Sequence, residues 1–181
     1  MADHYPKELA NRILAGEIQA PYTMSVRDAF RIAADIFTKS WQLHWDNHDK
    51  ARYTYNLIPF VRTKVIFPKS REIGVSYCRL LLHDSMLKDD SHRTGTSDSP
   101  YCEDYETSEH SLLYCNSHNK ARIDMMGYIK DTGVFAKLKG RISETLLLSP
   151  SCYDDYDLNK KDNKILKDAL FQFLHQVNRT I

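Results

Sequence analysis

Apolar residues along this chain recur at three- and four-residue intervals far more often than they alternate, and that period decides the fold class. Val26, Ala29, Phe30, Ala33, Phe37, Trp41 and Trp45 mark one face of a long helix. Ser25 and Asp28 stand where a capping hydroxyl and a first-turn acid serve the positive end of such a helix. Ile73, Tyr77, Leu80 and Leu81 repeat the pattern between Arg71 and Met86, and a third helix is predicted from about Ser108 to Met126. Tyr128 to Leu148 carries it more weakly, interrupted by Gly133 and Gly140. Ile165, Leu166, Leu170, Phe173, Leu174 and Val177 place a last amphipathic helix at about 158–178. Tyr53 to Phe67 is less regular, a short helix and a connector. Only the run Val61 to Phe67 alternates with period two, which leaves room for one short β element. The reading is an all-α fold of about five helices around one core, with Phe30, Phe37, Trp41, Leu80, Leu112 and Leu170 in it.

With 181 residues, 42% hydrophobic and 27% charged, the chain can bury a core of that kind. No apolar run approaches the roughly 20 residues that span a bilayer. The opening Met1 to Glu8 is polar and has no signal-peptide core. The expectation is an intracellular protein, cytoplasmic or nuclear, with no membrane partner. Cys78, Cys102, Cys115 and Cys152 are then reduced thiols or metal ligands rather than disulfides. A net charge of +1 means that any attraction for nucleic acid comes from a local patch.

The densest positive stretch is Arg62, Lys64, Lys69 and Arg71, with Tyr53, Tyr55, Phe60 and Phe67 interleaved. Cationic stems beside aromatic faces suit phosphate contact and base stacking, so RNA or DNA is the partner considered. Arg79 and Arg93 join the set if the following loop folds back. The opposing reading is a solvated basic connector whose aromatic residues are core. A second basic cluster, Lys160, Lys161, Lys164 and Lys167, is offset by Asp154, Asp155, Asp157 and Asp162 and reads as a solvated helix face. No small-molecule site is evident, and the sequence leaves the oligomeric state open.

Residues 88–107 form the clearest loop, rich in Asp, Ser, Thr and Gly. The end of this loop and the residues after it form a knuckle-like corner that offers Cys102, His110 and Cys115, and His118 stands one helical turn after Cys115. Structural zinc takes four such ligands in a tetrahedron. The competing account makes Cys102 and Cys115 small buried apolar groups, with His110 capping or lining the helix start. Burial is favoured, with no required cofactor and any zinc weak and completed by His118. Cys78 and Cys152 are expected as buried thiols.

Arg93-Thr-Gly-Thr-Ser-Asp98-Ser-Pro-Tyr-Cys102, followed by Glu106-Thr107, His110 and Cys115, resembles the segment downstream of the ribonuclease H domain in polyproteins of non-LTR retrotransposons. Ala2-Asp3 with Leu9-Ala10 is similar to the last ribonuclease H motif, and Trp41-Gln42 with Trp45 to the helix that follows it. Arg71-Glu72 through Arg79-Leu80, then Leu82-His83-Asp84-Ser85, resembles a further helix and its end. Leu146 to Leu148, Asp162 to Lys164 and Phe171 to Phe173 resemble the polyprotein tail. Two positions depart from the pattern: Asp104 lies where a second cysteine falls, and Leu82 replaces a glycine.

The resemblance implies that 1–20 is the remnant of a ribonuclease H-like domain and 21–181 a single helical domain that helps hold the element's RNA or target DNA. Ribonuclease H chemistry needs several carboxylates around two metal ions, and Asp3 alone matches one. No His-Glu-x-x-His, Gly-rich phosphate loop or activated nucleophile is present, so an enzyme is not expected. The alternative is a helical protein-interaction or structural fragment of a decayed element, with no ligand.

Overall fold

The computed structural model describes residues 8, 11–13, 15–17, 25–99, 105–149 and 158–177. Asp3, Cys102, Asp104, Cys152, Asp154, Asp155 and Asp157 lie outside the described residues. The chain divides into two compact units, residues 1–50 with 59–62 and residues 51–58 with 63–181. The fold is all-α. The helices are α1 (Val26–Asn47), α2 (Arg52–Leu57), α3 (Arg71–Leu82), α4 (Lys88–Arg93), α5 (Ser108–Leu113), α6 (Asn119–Asp131), α7 (Val134–Lys137), α8 (Glu144–Leu148) and α9 (Lys160–Val177), with a 3-10 turn at Asn116–His118. Among the described residues no strand forms, and the alternating run Val61 to Phe67 is turn and irregular chain instead. Among the described residues no neighbouring strand pairs with it, and Pro59 and Pro68 bracket the run.

In the first unit, α1 begins as its sequence dictates. The Ser25 hydroxyl accepts the Asp28 amide at 3.1 Å and donates to the Asp28 carboxylate at 2.7 Å. One side-chain amide fastens residues 59–62 to this helix: Gln42 donates to the Pro59 carbonyl at 2.7 Å and accepts the Val61 amide at 3.0 Å. Arg62 lies 3.5 Å from the Asp35 carboxylate and donates to the Ala34 carbonyl at 3.3 Å. Phe30 and Trp41 do not enter the core as expected; they are 61% and 50% exposed. Helical periodicity predicts a face, but burial needs a second apolar element against it, and α1 buries only Ala33 among its described residues.

The core belongs to the second unit, where α9 packs chiefly against α6 and also against α3. Tyr77, Leu80, Leu112, Met125, Ile129, Leu147, Leu170 and Phe173 are fully buried there. Leu80, Leu112 and Leu170 are therefore core as their spacing predicts. Polar groups tie the short α8 into this interior. Tyr77 Oη donates to the Leu148 carbonyl at 2.8 Å, and Ser149 Oγ donates to the Leu57 carbonyl at 2.6 Å. The Lys167 ammonium donates to the Leu147 carbonyl and, at 2.8 Å, to the Ser149 carbonyl. A cation at the carbonyl end of a helix is favourably placed, which explains how a fully buried lysine is tolerated.

That placement corrects the solvated-face reading of α9 at Lys167 and Asp162, which are buried, whereas Lys160, Lys161 and Lys164 are exposed as expected. Lys137 stands 2.6 Å from Asp162 and, with the Asn159 backbone amide, holds its carboxyl below the usual range. Two further elements differ from expectation. The segment 88–107 opens with α4, whose first turn carries Asp89 and Asp90 and whose Lys88 amide is accepted by Glu106 at 3.0 Å. The helix ends on Gly95 at φ 76°, with the Thr96 amide returning to the Ser91 carbonyl at 2.8 Å. The predicted helix from 108 breaks after α5, where the Tyr114 and Cys115 amides both return to the His110 carbonyl at 2.8 Å.

Candidate nucleic-acid interface

In the second unit the connector Phe67-Pro68-Lys69-Ser70 runs into the first turn of α3. Proline fixes the backbone there, and the ring lies against α3, 3.8 Å from where a Gly74 Cβ would stand. This connector forms a ridge with an open groove on each side. One groove, about 420 Å³, is lined by Phe67, Lys69, Arg71, Val75, Arg79 and Leu82 among others. Arg71, Val75, Cys78, Arg79 and Leu82 share it because spacings of four, seven, eight and eleven fall on one face of α3. The other groove, about 760 Å³, carries Lys69, Tyr128, Lys164, Phe171 and His175.

Phe67 stands between the two. Its ring meets Tyr77 edge-on at 6.2 Å, while 57% of the residue faces solvent. Tyr77 also meets Phe171 at 5.3 Å, so one buried ring backs an aromatic residue of each groove. An aromatic face held by the core with cations on both sides can stack a base and contact the phosphates that flank it.

The six cations singled out by sequence separate into distinct settings. Lys69, Arg71 and Arg79 line the same groove. Lys64 is exposed on the irregular connector and lines neither groove. Arg62 belongs to the first unit and is engaged with Asp35. Arg93 donates to the His83 carbonyl at the end of α3 and lies 3.5 Å from Asp90. Of the interleaved aromatics, Tyr53 stacks on His83 at 4.5 Å and donates to Glu144 at 2.6 Å, and Tyr55 lies under the Arg52 guanidinium. Burial and the bond to Glu144 push the Tyr53 phenol well above its ordinary range. Sequence reasoning missed Lys164 and His175. They belong to α9, nearly a hundred residues away, and only packing brings them to the groove.

The proposed metal corner is distributed differently. Cys102 lies outside the described residues. Cys115 and His118 are buried, and His110 is half-buried. His118 Nδ1 shares a hydrogen bond with Ser111 Oγ at 3.0 Å, and its ring meets Phe173 edge-on at 6.0 Å. Burial holds this imidazole below its usual pKa, so the neutral form is favoured. Among the described residues, His110, Cys115 and His118 do not converge as a ligand set, whereas His83, Asp89 and Asp90 do.

No known protein family matches this chain, and no curated protein or solved structure is significantly similar to it. Among the described residues no helix is long and apolar enough to cross a membrane.

Proposed function

We propose that the chain is a non-catalytic nucleic-acid-binding module whose second unit holds single-stranded RNA or DNA across the Phe67–Ser70 ridge. The observation that carries this reading is the shared groove of Lys69, Arg71 and Arg79 beside a half-exposed Phe67. Three cations on one wall offer three phosphate contacts, and the ring offers one stacking platform. Lys164 on the opposite side extends the positive rim to the second groove. The retroelement resemblance of the sequence fits the same role, that of holding the element's RNA or target DNA. The proposed absence of catalysis rests on the carboxylate set: Asp3 alone matches where ribonuclease H needs several.

One observation favours a different partner. Val75 and Leu82 are 42% and 62% exposed on the same groove as Phe67, an apolar strip that suits a peptide or helix of another protein. Fluorescence anisotropy with a labelled single-stranded oligonucleotide separates the two. Replacing Lys69, Arg71 and Arg79 together by Ala should weaken binding to every sequence alike, and Lys64→Ala should change it little. Full retention of affinity in the triple variant sinks the nucleic-acid reading of this groove.

A further inference from the structure

At the far end of α3 from the ridge, three donor atoms converge. His83 Nε2 lies 3.4 Å from Asp90 Oδ1 and 3.8 Å from Asp89 Oδ2, and one ligand atom from each residue falls within 4.8 Å of the others. Both separations exceed the roughly 2.7–3.2 Å of an N–H···O hydrogen bond. They lie close to a different length. Two donors each about 2.0–2.2 Å from one zinc ion stand about 3.3–3.6 Å apart at the tetrahedral angle. The 3.4 Å separation falls within that range and the 3.8 Å separation just outside it, so a small closing movement would bring the three donors onto one ion.

Each donor is also held in place by a group behind it. Asp90 is buried, and its Oδ2 accepts the Ser85 amide at 2.8 Å and the Ser85 hydroxyl, which leaves Oδ1 turned to His83. The His83 ring is stacked on Tyr53 with 23° between the planes, and the Tyr53 hydroxyl is fixed on Glu144. Outer contacts of this kind orient metal ligands and set their affinity. Asp89, with its side chain 17% exposed, makes no hydrogen bond among the described residues and lies 3.8 Å from His83 Nε2. A largely desolvated carboxylate without hydrogen bonds calls for a cation.

Arg93 supplies one positive charge, 3.5 Å from Asp90 Oδ1. It stands against two carboxylates, those of Asp89 and Asp90.

We propose that His83, Asp89 and Asp90 bind one divalent transition-metal ion, with zinc the first choice. One imidazole nitrogen with two carboxylate oxygens is a mixed set that suits zinc better than magnesium, which prefers oxygen alone. Three protein donors leave a fourth position for water, so the ion is exchangeable. The assignment uses none of the groove residues and stands apart from the nucleic-acid reading.

The test is calorimetric titration of zinc chloride into the metal-free full chain, together with the absorption spectrum of its cobalt(II) form. The native chain should bind zinc, and Asp89→Asn and His83→Gln should each weaken that binding by about tenfold or more. Cys102→Ser should leave it unchanged. Asp89→Asn is the main variant, because the carboxylate it removes makes no hydrogen bond to another described group and the amide keeps its size. The cobalt form of the native chain should show visible ligand-field bands without a thiolate charge-transfer band, and that spectrum decides the matter if a variant fails to fold. No zinc binding by the native chain overturns the proposal. So does native affinity in folded Asp89→Asn and His83→Gln, or a thiolate band that disappears in Cys102→Ser.

Discussion

Tyr77 joins the core to both grooves, and the cost of removing its hydroxyl can be worked out from its surroundings. The residue is fully buried, and its Oη donates at 2.8 Å to the carbonyl of Leu148, the last residue of α8. That carbonyl has no later amide in its own helix, so the phenol serves as its cap. Tyr77→Phe keeps the ring contacts with Phe67 and Phe171 and strands one buried carbonyl. Leaving such a group unpaired costs about 1–3 kcal/mol. Folding stabilities of domains this size are about 5–15 kcal/mol, so the variant should fold. With a urea slope of about 2 kcal/mol per molar, the midpoint should fall by roughly 0.5–1.5 M at unchanged slope. Tyr114→Phe, at a position 63% exposed, is the control and should lie within about 0.5 kcal/mol of the native chain. The readout is urea denaturation followed by circular dichroism. A midpoint for Tyr77→Phe that matches the control would refute the capping role. A fall in the slope would mean that the change acts on the denatured ensemble instead.

Three other outcomes follow from buried or strained groups. Burial raises the phenols of both Tyr53 and Tyr77 above the ordinary 10, so two of the eleven tyrosines should resist ionisation in an alkaline absorbance titration until the fold is lost. Because their folded pKa values are raised, the stability they contribute is complete below pH 10 and declines above it; eleven tyrosines titrating together near 10 would contradict this. His118 has the opposite sign. Its folded pKa lies below the ordinary 6.5, so the unfolded chain binds a proton first and stability falls as pH drops below 6.5. His118→Gln should flatten the fall in thermal midpoint between about pH 7 and pH 5, and an unchanged profile would refute that assignment. Gly95 closes α4 at φ 76°, so Gly95→Ala should destabilise by about 1 kcal/mol in the same urea assay, and no loss would show that the turn relaxes.

The parts of the fold legible in the sequence are those set by local patterns. Ser25 and Asp28 announced the start of α1, and the spacing of Leu166, Leu170 and Phe173 announced the buried face of α9. Patterning failed where burial depends on distant partners. Phe30 and Trp41 read as core because they share a helical face, yet α1 buries little within its own unit. Lys167 read as solvated because it sits among charges, yet the carbonyl end of α8 receives it. Composition hid α4, whose Asp- and Ser-rich sequence resembles a loop until its first-turn acids are counted as helix-start residues.

The candidate sites divide along the same line. Arg71 and Arg79 are two helical turns apart, so their common face could be read directly, and Lys69 adjoins it. Lys164 and His175 reach the ridge only through the packing of α9. His83, Asp89 and Asp90 are close in sequence, but the turn between α3 and α4 breaks any periodic signature.

The salt dependence of oligonucleotide binding separates phosphate contact from any other mode of attachment. For a single strand, each phosphate contact contributes about 0.7 to the slope of log affinity against log salt concentration. Native chain and the Lys69, Arg71 and Arg79 triple alanine variant are compared by anisotropy from low to physiological salt. Three phosphate contacts predict that the variant's slope is shallower by about two units, with its affinity lower at every salt concentration. Equal slopes for the two proteins, or no binding by the native chain at low salt, would rule out phosphate contact here and leave the groove to a protein partner.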